Sequence, residues 1–256
     1  MAHEAIHNPV QVPGDGVRRT EEKWDRWKFR EVSHEERIAK YKGMTLPIDE
    51  GVGRLRRTLV ELGIAERTFV LFFSDNGASI DFPSGSPQLR GRKGGVYEGG
   101  HKVPAIAWWP GKIDSGATSD QTMISIDVMP TLLAIAGVDA ISDEKPLDGI
   151  DISSVLIDRE ALPDRPLFWA SLSNGGDRSE AMRLGHWKLV VKHPGATKGT
   201  FENPRLELYE LESDPSEESD VAKLHVQRAT EMHEQLKDWY KDLLSTATPQ
   251  PGGWSQ

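Results

Sequence analysis

The chain has 256 residues, 31 basic against 40 acidic side chains, a net charge of −9, 37% hydrophobic residues and no cysteine. This is the composition of one large loop-rich globular domain, or one and a half small ones. It excludes disulfides, thiolate zinc sites and an unmodified cysteine nucleophile, and its acidity argues against a nucleic-acid partner. No apolar run approaches the roughly 20 residues of a membrane span, and residues 1–20 carry no charged-then-apolar export pattern, so nothing assigns a localisation.

In chain order, residues 1–30 read as irregular, with aromatic anchors at Trp24, Trp27 and Phe29. Ser33 with Glu36 three positions on forms a capping box and predicts a helix to about Gly43. Pro47 suits the first turn of a second helix, whose apolar positions Val52, Leu55, Leu59 and Leu62 lead to a Gly63 cap. Thr68–Ser74 is a β-branched and aromatic run expected to be a strand buried on both faces. A long glycine- and proline-rich loop follows over 78–100, then a second buried strand at Ala105–Trp109, stopped by Pro110-Gly111. Asp127 is placed to cap a helix carrying Leu132, Leu133 and Ile135 and ending at Gly137. Beyond residue 160, short runs at Leu167–Ala170, Trp187–Lys192 and Glu207–Leu211 predict a small antiparallel sheet. Val221, Leu224, Met232, Leu236, Trp239 and Leu243 mark a long amphipathic helix, and residues 246–256 read as a tail. The acidic stretch 205–220 reads as a solvated turn.

Three places could carry chemistry. Asp75-Asn76 ends a strand where α/β folds collect ligands, and a carboxylate beside an amide carbonyl offers two hard oxygens to a divalent cation. An ordinary Asp-Asn-Gly turn accounts for the same residues. The loop from Arg90 to Lys102 interleaves cations with glycines, which suits an oxyanion or a solvated basic loop, and it lacks the Gly-Lys-Ser/Thr ending of a P-loop. His7 stands alone near the terminus. No Gly-x-Ser-x-Gly nucleophile elbow is present.

Taken together, Ile48-Asp49-Glu50-Gly51-Val52-Gly53, Phe72-Phe73-Ser74-Asp75-Asn76-Gly77 and Leu89-Arg90-Gly91-Arg92-Lys93-Gly94-Gly95-Val96-Tyr97-Glu98-Gly99-Gly100-His101-Lys102 resemble the type I, formylglycine-dependent sulfatase family. The resemblance continues, in the family's order, through Ile126-Asp127-Val128-Met129-Pro130-Thr131, Leu147-Asp148-Gly149, Arg183-Leu184-Gly185-His186-Trp187-Lys188-Leu189 and Glu207-Leu208-Tyr209-Glu210-Leu211 to Asp214-Pro215-Ser216-Glu217. It implies an α/β, alkaline-phosphatase-like sandwich, with residues 1–160 the C-terminal portion of the catalytic domain. Residues 161–256 would be a small antiparallel-sheet-plus-helix C-terminal subdomain.

The resemblance also implies roles. Asp75 and Asn76 would bind a divalent cation, Ca²⁺ in most of the family, and Lys93 would contact the sulfate. His7, in a short His-x-Pro segment, would hydrogen-bond the sulfate region and protonate the leaving alcohol oxygen. His101 and Lys102 fall with the substrate contacts, whereas Glu98, Gly99 and Gly100 would shape the loop. The departure from the family is that its paired aspartates and Cys-x-Pro-Ser-Arg nucleophile segment have no counterpart here. Ser213-Asp214-Pro215-Ser216 is followed by Glu217 and is not that segment. The expectation is therefore a sulfate-ester hydrolase when complete, inactive as this chain alone, with three explanations for the missing segments: a mis-called start, a split gene whose upstream-encoded N-terminal half is the partner, or a degenerate fragment. Two alternatives stand beside it: a non-enzymatic anion- or partner-binding fragment, and a phosphodiesterase-type member of the wider superfamily.

Overall fold

A computed structural model describes residues 12, 33–79, 86–138, 147–172, 178–193 and 204–246. His7, the aromatic anchors of residues 1–30 and the tail from residue 247 lie outside them. The chain divides into two compact units, one of Arg54–Phe73 and Ala105–Asp164, the other of Met1–Gly53, Ser74–Pro104 and Arg165–Gln256. Among the described residues no helix is long and apolar enough to cross a membrane.

Helix α1 (His34–Glu61) begins where the capping signal places it. Ser33 Oγ accepts the Glu36 N–H at 3.1 Å, and Glu35 and Glu36 set acids against the positive end of the helix. The two expected helices are one, because α1 runs through Gly43 and Pro47 without a break. Within a helix already nucleated on both sides, one lost hydrogen bond at Pro47 is a smaller penalty than starting a second nucleus. The end is as expected: Gly63 has φ +65°, and its N–H and that of Ile64 donate to the Val60 and Leu59 carbonyls, both at 3.0 Å.

The smaller unit contains β1 (Val70–Phe73) and β2 (Ala105–Trp108), paired antiparallel with Val70 opposite Trp108 and Phe73 opposite Ala105. Neither strand is buried on both faces as expected: Phe73 is 39% exposed and Ile106 63%. Among the described residues each has the other as its single strand partner. Helix α3 (Val128–Ile135) follows a 3₁₀ turn at Ser125–Asp127 and ends on Gly137, at φ +67°. Asp127 does not cap α3. Its buried carboxylate accepts the backbone N–H of Ile124 at 3.0 Å and of Ile150 at 3.1 Å. Thr131 Oγ1, donating to the Asp127 carbonyl, accepts the Ile152 N–H just ahead of α4 (Ser153–Ile157). The Asp127-to-Thr131 motif thus clasps the backbone of Ile150 and Ile152, directly after Leu147-Asp148-Gly149.

The larger unit holds a four-stranded antiparallel meander, β3 (Leu167–Leu172), β4 (Arg178–Leu184), β5 (Trp187–His193) and β6 (Arg205–Glu210), in that spatial order. The sequence pattern anticipates this sheet apart from β4. Helix α5 (Val226–Thr246) starts later than expected, after Val221 and Leu224. Its Ala229, Met232 and Leu236 pack on Met182, Leu189, Val191 and Leu208 from the sheet, and Trp239 stacks on Phe168 at 5.0 Å. The opposite face carries Ala181, Val190 and Tyr209, which pack on Val96. The sheet is therefore covered on both sides, which is why Leu189 and Val190, of opposite parity, are both fully buried.

Candidate functional site

Asp75-Asn76-Gly77 follows β1 after Ser74. Asp75 is exposed, and its Oδ1 accepts both the backbone N–H of Asn76 at 2.9 Å and the Asn76 side-chain amide N–H at 3.0 Å. The Asn76 side chain thus engages Asp75 through its amide nitrogen and not through its oxygen. The next residues are tied to the Lys93 loop at two points: Gly77 N–H donates to the Gly100 carbonyl, and Lys93 N–H to the Ala78 carbonyl, both at 2.9 Å. The Ser-Asp-Asn-Gly and Lys-to-Glu-Gly-Gly motifs are thereby parts of one backbone frame.

Glycine is required where the segments of this frame touch. A Cβ on Gly77 would sit 2.0 Å from the Gly99 carbonyl oxygen, and one on Gly100 would sit 2.2 Å from that of Gly95. Gly77→Ala is therefore expected to force the two segments apart at a cost of about 1–3 kcal/mol. Amide exchange at residue 77 and Lys93 should speed up with it. Unchanged exchange at both would show that the two hydrogen bonds do not hold the frame.

The cations of the loop divide. Lys93 and Lys102 are exposed, whereas Arg90 bonds inward, donating to Tyr209 Oη at 3.0 Å and to the Glu217 carbonyl at 2.7 Å. Its guanidinium lies over the Tyr97 ring at 4.2 Å. Tyr97 and Tyr209 both donate to Glu207 Oε2, at 2.5 and 2.8 Å. Burial and these bonds push both phenols up. Glu207 is held low: burial works against its charge, but the two tyrosine hydrogen bonds, Lys192 and Arg205 prevail.

Beneath the loop, α2 (Glu98–His101) sits on a buried charge cluster. Lys188, fully buried on β5, places its ammonium 2.8 Å from Glu98 Oε1, 2.9 Å from Glu217 Oε1 and 3.1 Å from His101 Nε2. Arg183 lies 3.7 Å from Glu98 Oε2, and Glu217 Oε2 accepts the Glu98 N–H at 2.7 Å. Glu217 has φ +56°, a backbone state uncommon outside glycine, retained where its carboxylate is needed. Burial pushes the Glu98 carboxyl up, but Lys188 outweighs it and holds the group low; for Glu217 burial wins and the group is raised. Burial, aided by Lys188, pushes the His101 imidazole down to about 4. The ring also stacks on Trp169, centroids 4.3 Å apart.

Of the residues singled out from sequence, Asp75, Asn76, Lys93, His101 and Lys102 fall on one frame, and His7 lies outside the described residues. Sequence reasoning missed Lys188, Glu217, Glu207 and Arg90 as the supports of that frame. The acidic stretch 205–220 is not a solvated turn throughout, since Glu207 and Glu217 are buried against cations and tyrosines. The signal lay in Lys188, a charge between Trp187 and the apolar Leu189-Val190-Val191.

Comparison with known proteins gives a consistent answer. The family model described as Sulfatase matches residues 3–138, and that described as N-sulphoglucosamine sulphohydrolase, C-terminal, matches residues 92–244. The chain is 40% identical over 146 residues to N-acetylgalactosamine-6-sulfatase of Canis lupus familiaris, covering 55% of this chain and 27% of that protein. It is 31% identical over 235 residues to a sulfatase of Formosa agariphila, covering 85% of this chain and 42% of that one. The solved structure of Ps i-CgsB in complex with k-i-k-neocarrahexaose superposes with a TM-score of 0.73 at 26% identity, over 92% of this chain and 48% of that one. The chain thus spans less than half the length of these relatives.

Proposed function

The chain belongs to the sulfatase family, and from that premise we propose that it carries one side of a sulfate-ester hydrolase site. Its fold is the C-terminal part of the α/β, alkaline-phosphatase-like fold of that family. Family members act with a divalent cation. Here the proposed ligands are Asp75 Oδ and Asn76 Oδ1, two hard oxygens that suit Ca²⁺ but fill only part of the 6–8 positions it takes. The cation, when bound, would supply charge against the sulfate oxygens. Lys93 is the proposed protein cation on the same oxyanion, with His101 and Lys102 as further substrate contacts. His7 is the proposed donor to the leaving oxygen. Residues 1–160 would belong to the catalytic domain and 161–256 to a subdomain that supports it.

The observation that carries this reading is the pair of backbone hydrogen bonds, Gly77 to Gly100 and Lys93 to Ala78, which brings the Asp75-Asn76 and Lys93 segments into one frame. The nucleophile and remaining cation ligands are proposed to come from polypeptide outside these 256 residues. The purified chain alone is then expected to release no sulfate from 4-nitrophenyl sulfate. Turnover by this chain alone would overturn the division of the site. Turnover of bis(4-nitrophenyl) phosphate would favour the phosphodiesterase-type alternative.

One observation favours the partner-binding reading as well. In the smaller unit Val60, Leu62, Phe73, Ile106, Met129 and Leu132 are all exposed, and among the described residues β1 and β2 pair only with each other. Large exposed apolar side chains beside such a strand pair are what a sheet-completing partner would cover. An N-terminal half of the same fold is the proposed occupant.

A further inference from the structure

The buried ammonium of Lys188 has three protons and, among the described residues, hydrogen-bonds to Glu98 Oε1 at 2.8 Å and His101 Nε2 at 3.1 Å, with Glu217 Oε1 an ion-pair neighbour at 2.9 Å. With Lys188 fully buried, water does not substitute for any of them. The bond to His101 exists only if Nε2 is unprotonated. The same nitrogen lies 3.1 Å from the Val96 carbonyl, a bond it could make only by carrying the proton. The two arrangements exclude each other, and their penalties are unequal. A proton on Nε2 would face the ammonium at 3.1 Å and leave a charged donor buried without an acceptor; its absence leaves only a neutral carbonyl short of one donor. Protonation of both ring nitrogens is opposed further by Arg183, which reaches the same cluster through Glu98. Glu98 Oε1, 3.9 Å from Nε2, pulls the other way but is already engaged by Lys188. The low imidazole pKa, about 4, agrees with a neutral ring.

We propose that Lys188 is a positioning residue that fixes His101 as the neutral Nδ1–H tautomer, so that the ring serves as a hydrogen-bond donor to an oxyanion at the Lys93 loop. The tautomer follows from the cluster alone, while the oxyanion as its partner rests on the sulfate-ester reading above. The ring is held for this role from three sides: Trp169 stacks on its face at 4.3 Å, Lys188 takes Nε2, and α2 fixes its backbone. Its side chain remains 17% exposed, so the ring is not sealed from solvent. Because the donor is a neutral ring, its proton stays in place across the pH range in which an ordinary histidine titrates.

The test is ¹⁵N NMR of the histidine-labelled wild-type chain, with the His101 signals assigned by their loss in His101→Gln. The expected result is protonated Nδ1 and unprotonated Nε2 at neutral pH. A protonated Nε2 overturns the proposal with no variant needed. In Lys188→Met the ring is expected to turn to the Nε2–H tautomer, bonded to the Val96 carbonyl, with its pKa rising toward the ordinary 6.5. A folded Lys188→Met that keeps the wild-type tautomer and pKa also overturns it. Inorganic sulfate titrated into the wild type separates the two claims. A shift at Nδ1 supports the donor role, whereas a fixed Nδ1–H tautomer with no response to sulfate keeps the positioning by Lys188 and overturns the oxyanion as its partner.

Discussion

Replacing Lys188 by methionine is expected to lower the unfolding free energy by about 3–5 kcal/mol, the penalty for stranding buried charge. Glu98 and Glu217 are 2% and 0% exposed and share this one ammonium. Methionine fills a similar volume, so the loss is electrostatic rather than a cavity. Urea unfolding of wild type and Lys188→Met measures it directly. A second variant separates stranded charge from lost packing: with Glu98→Gln and Glu217→Gln added, no buried charge lacks its partner, and much of the stability should return. If the triple variant is as unstable as the single one, the cluster acts through shape and not through charge compensation.

Acid should weaken the protein well above the range in which carboxylates protonate, and His101 is the reason. Its folded-state pKa, about 4, lies below the ordinary 6.5. Between those values the unfolded chain binds a proton there and the folded chain does not. The contribution of His101 is therefore fully present above pH 6.5 and is lost as pH falls toward 4, in total on the order of 3 kcal/mol. Glu98, held low by Lys188 against the effect of burial, adds a loss in the same sense at lower pH. Glu217, raised by burial, works in the opposite sense. Urea midpoints at about pH 7 and about pH 4.5, for wild type and for His101→Gln, isolate the histidine. The wild type should lose more stability on acidification than the variant does, and equal losses would contradict a neutral buried imidazole.

The sequence was most legible where a motif is local and its geometry short-range. Ser33 to Glu36 gave the start of α1, Gly63 and Gly137 gave two helix ends, and the glycines of the Lys93 loop marked a backbone that must approach other backbone closely. It was least legible where tertiary context overrides local preference. Pro47 reads as a helix start yet lies inside α1. Asp127 reads as a cap, but its carboxylate spans 23 residues to the Ile150 N–H. Thr68–Ser74 reads as a fully buried strand because its side chains are apolar throughout, yet within the smaller unit Phe72 and Phe73 remain exposed. An apolar run reports what a strand can be packed against, not which neighbours are present in a given chain.

The candidate site shows the same division. Asp75, Asn76 and Lys93 were found by their motifs, but the reason they sit on one frame is long-range. Arg90 reaches Tyr209 and Glu217, and Lys188 reaches Glu98 and His101, across separations of about ninety to 127 residues. Glu217, like Glu207, was hidden inside an acidic stretch whose other acids are exposed or half-buried, and no periodicity distinguishes either. Only a buried lysine in β5, an expensive residue to place there unpaired, hinted that carboxylates must converge on it.

The central claim is that the segments around Asp75-Asn76 and Lys93 form a single oxyanion-binding frame within this chain. The most direct test is a titration of inorganic sulfate, in the presence of Ca²⁺, followed by amide NMR on the wild type and on Lys93→Met. The account predicts shifts concentrated at residues 75–78, 93 and 99–101, weakened together in Lys93→Met. Shifts spread over the surface lysines, or a frame response that survives the loss of Lys93, would contradict it.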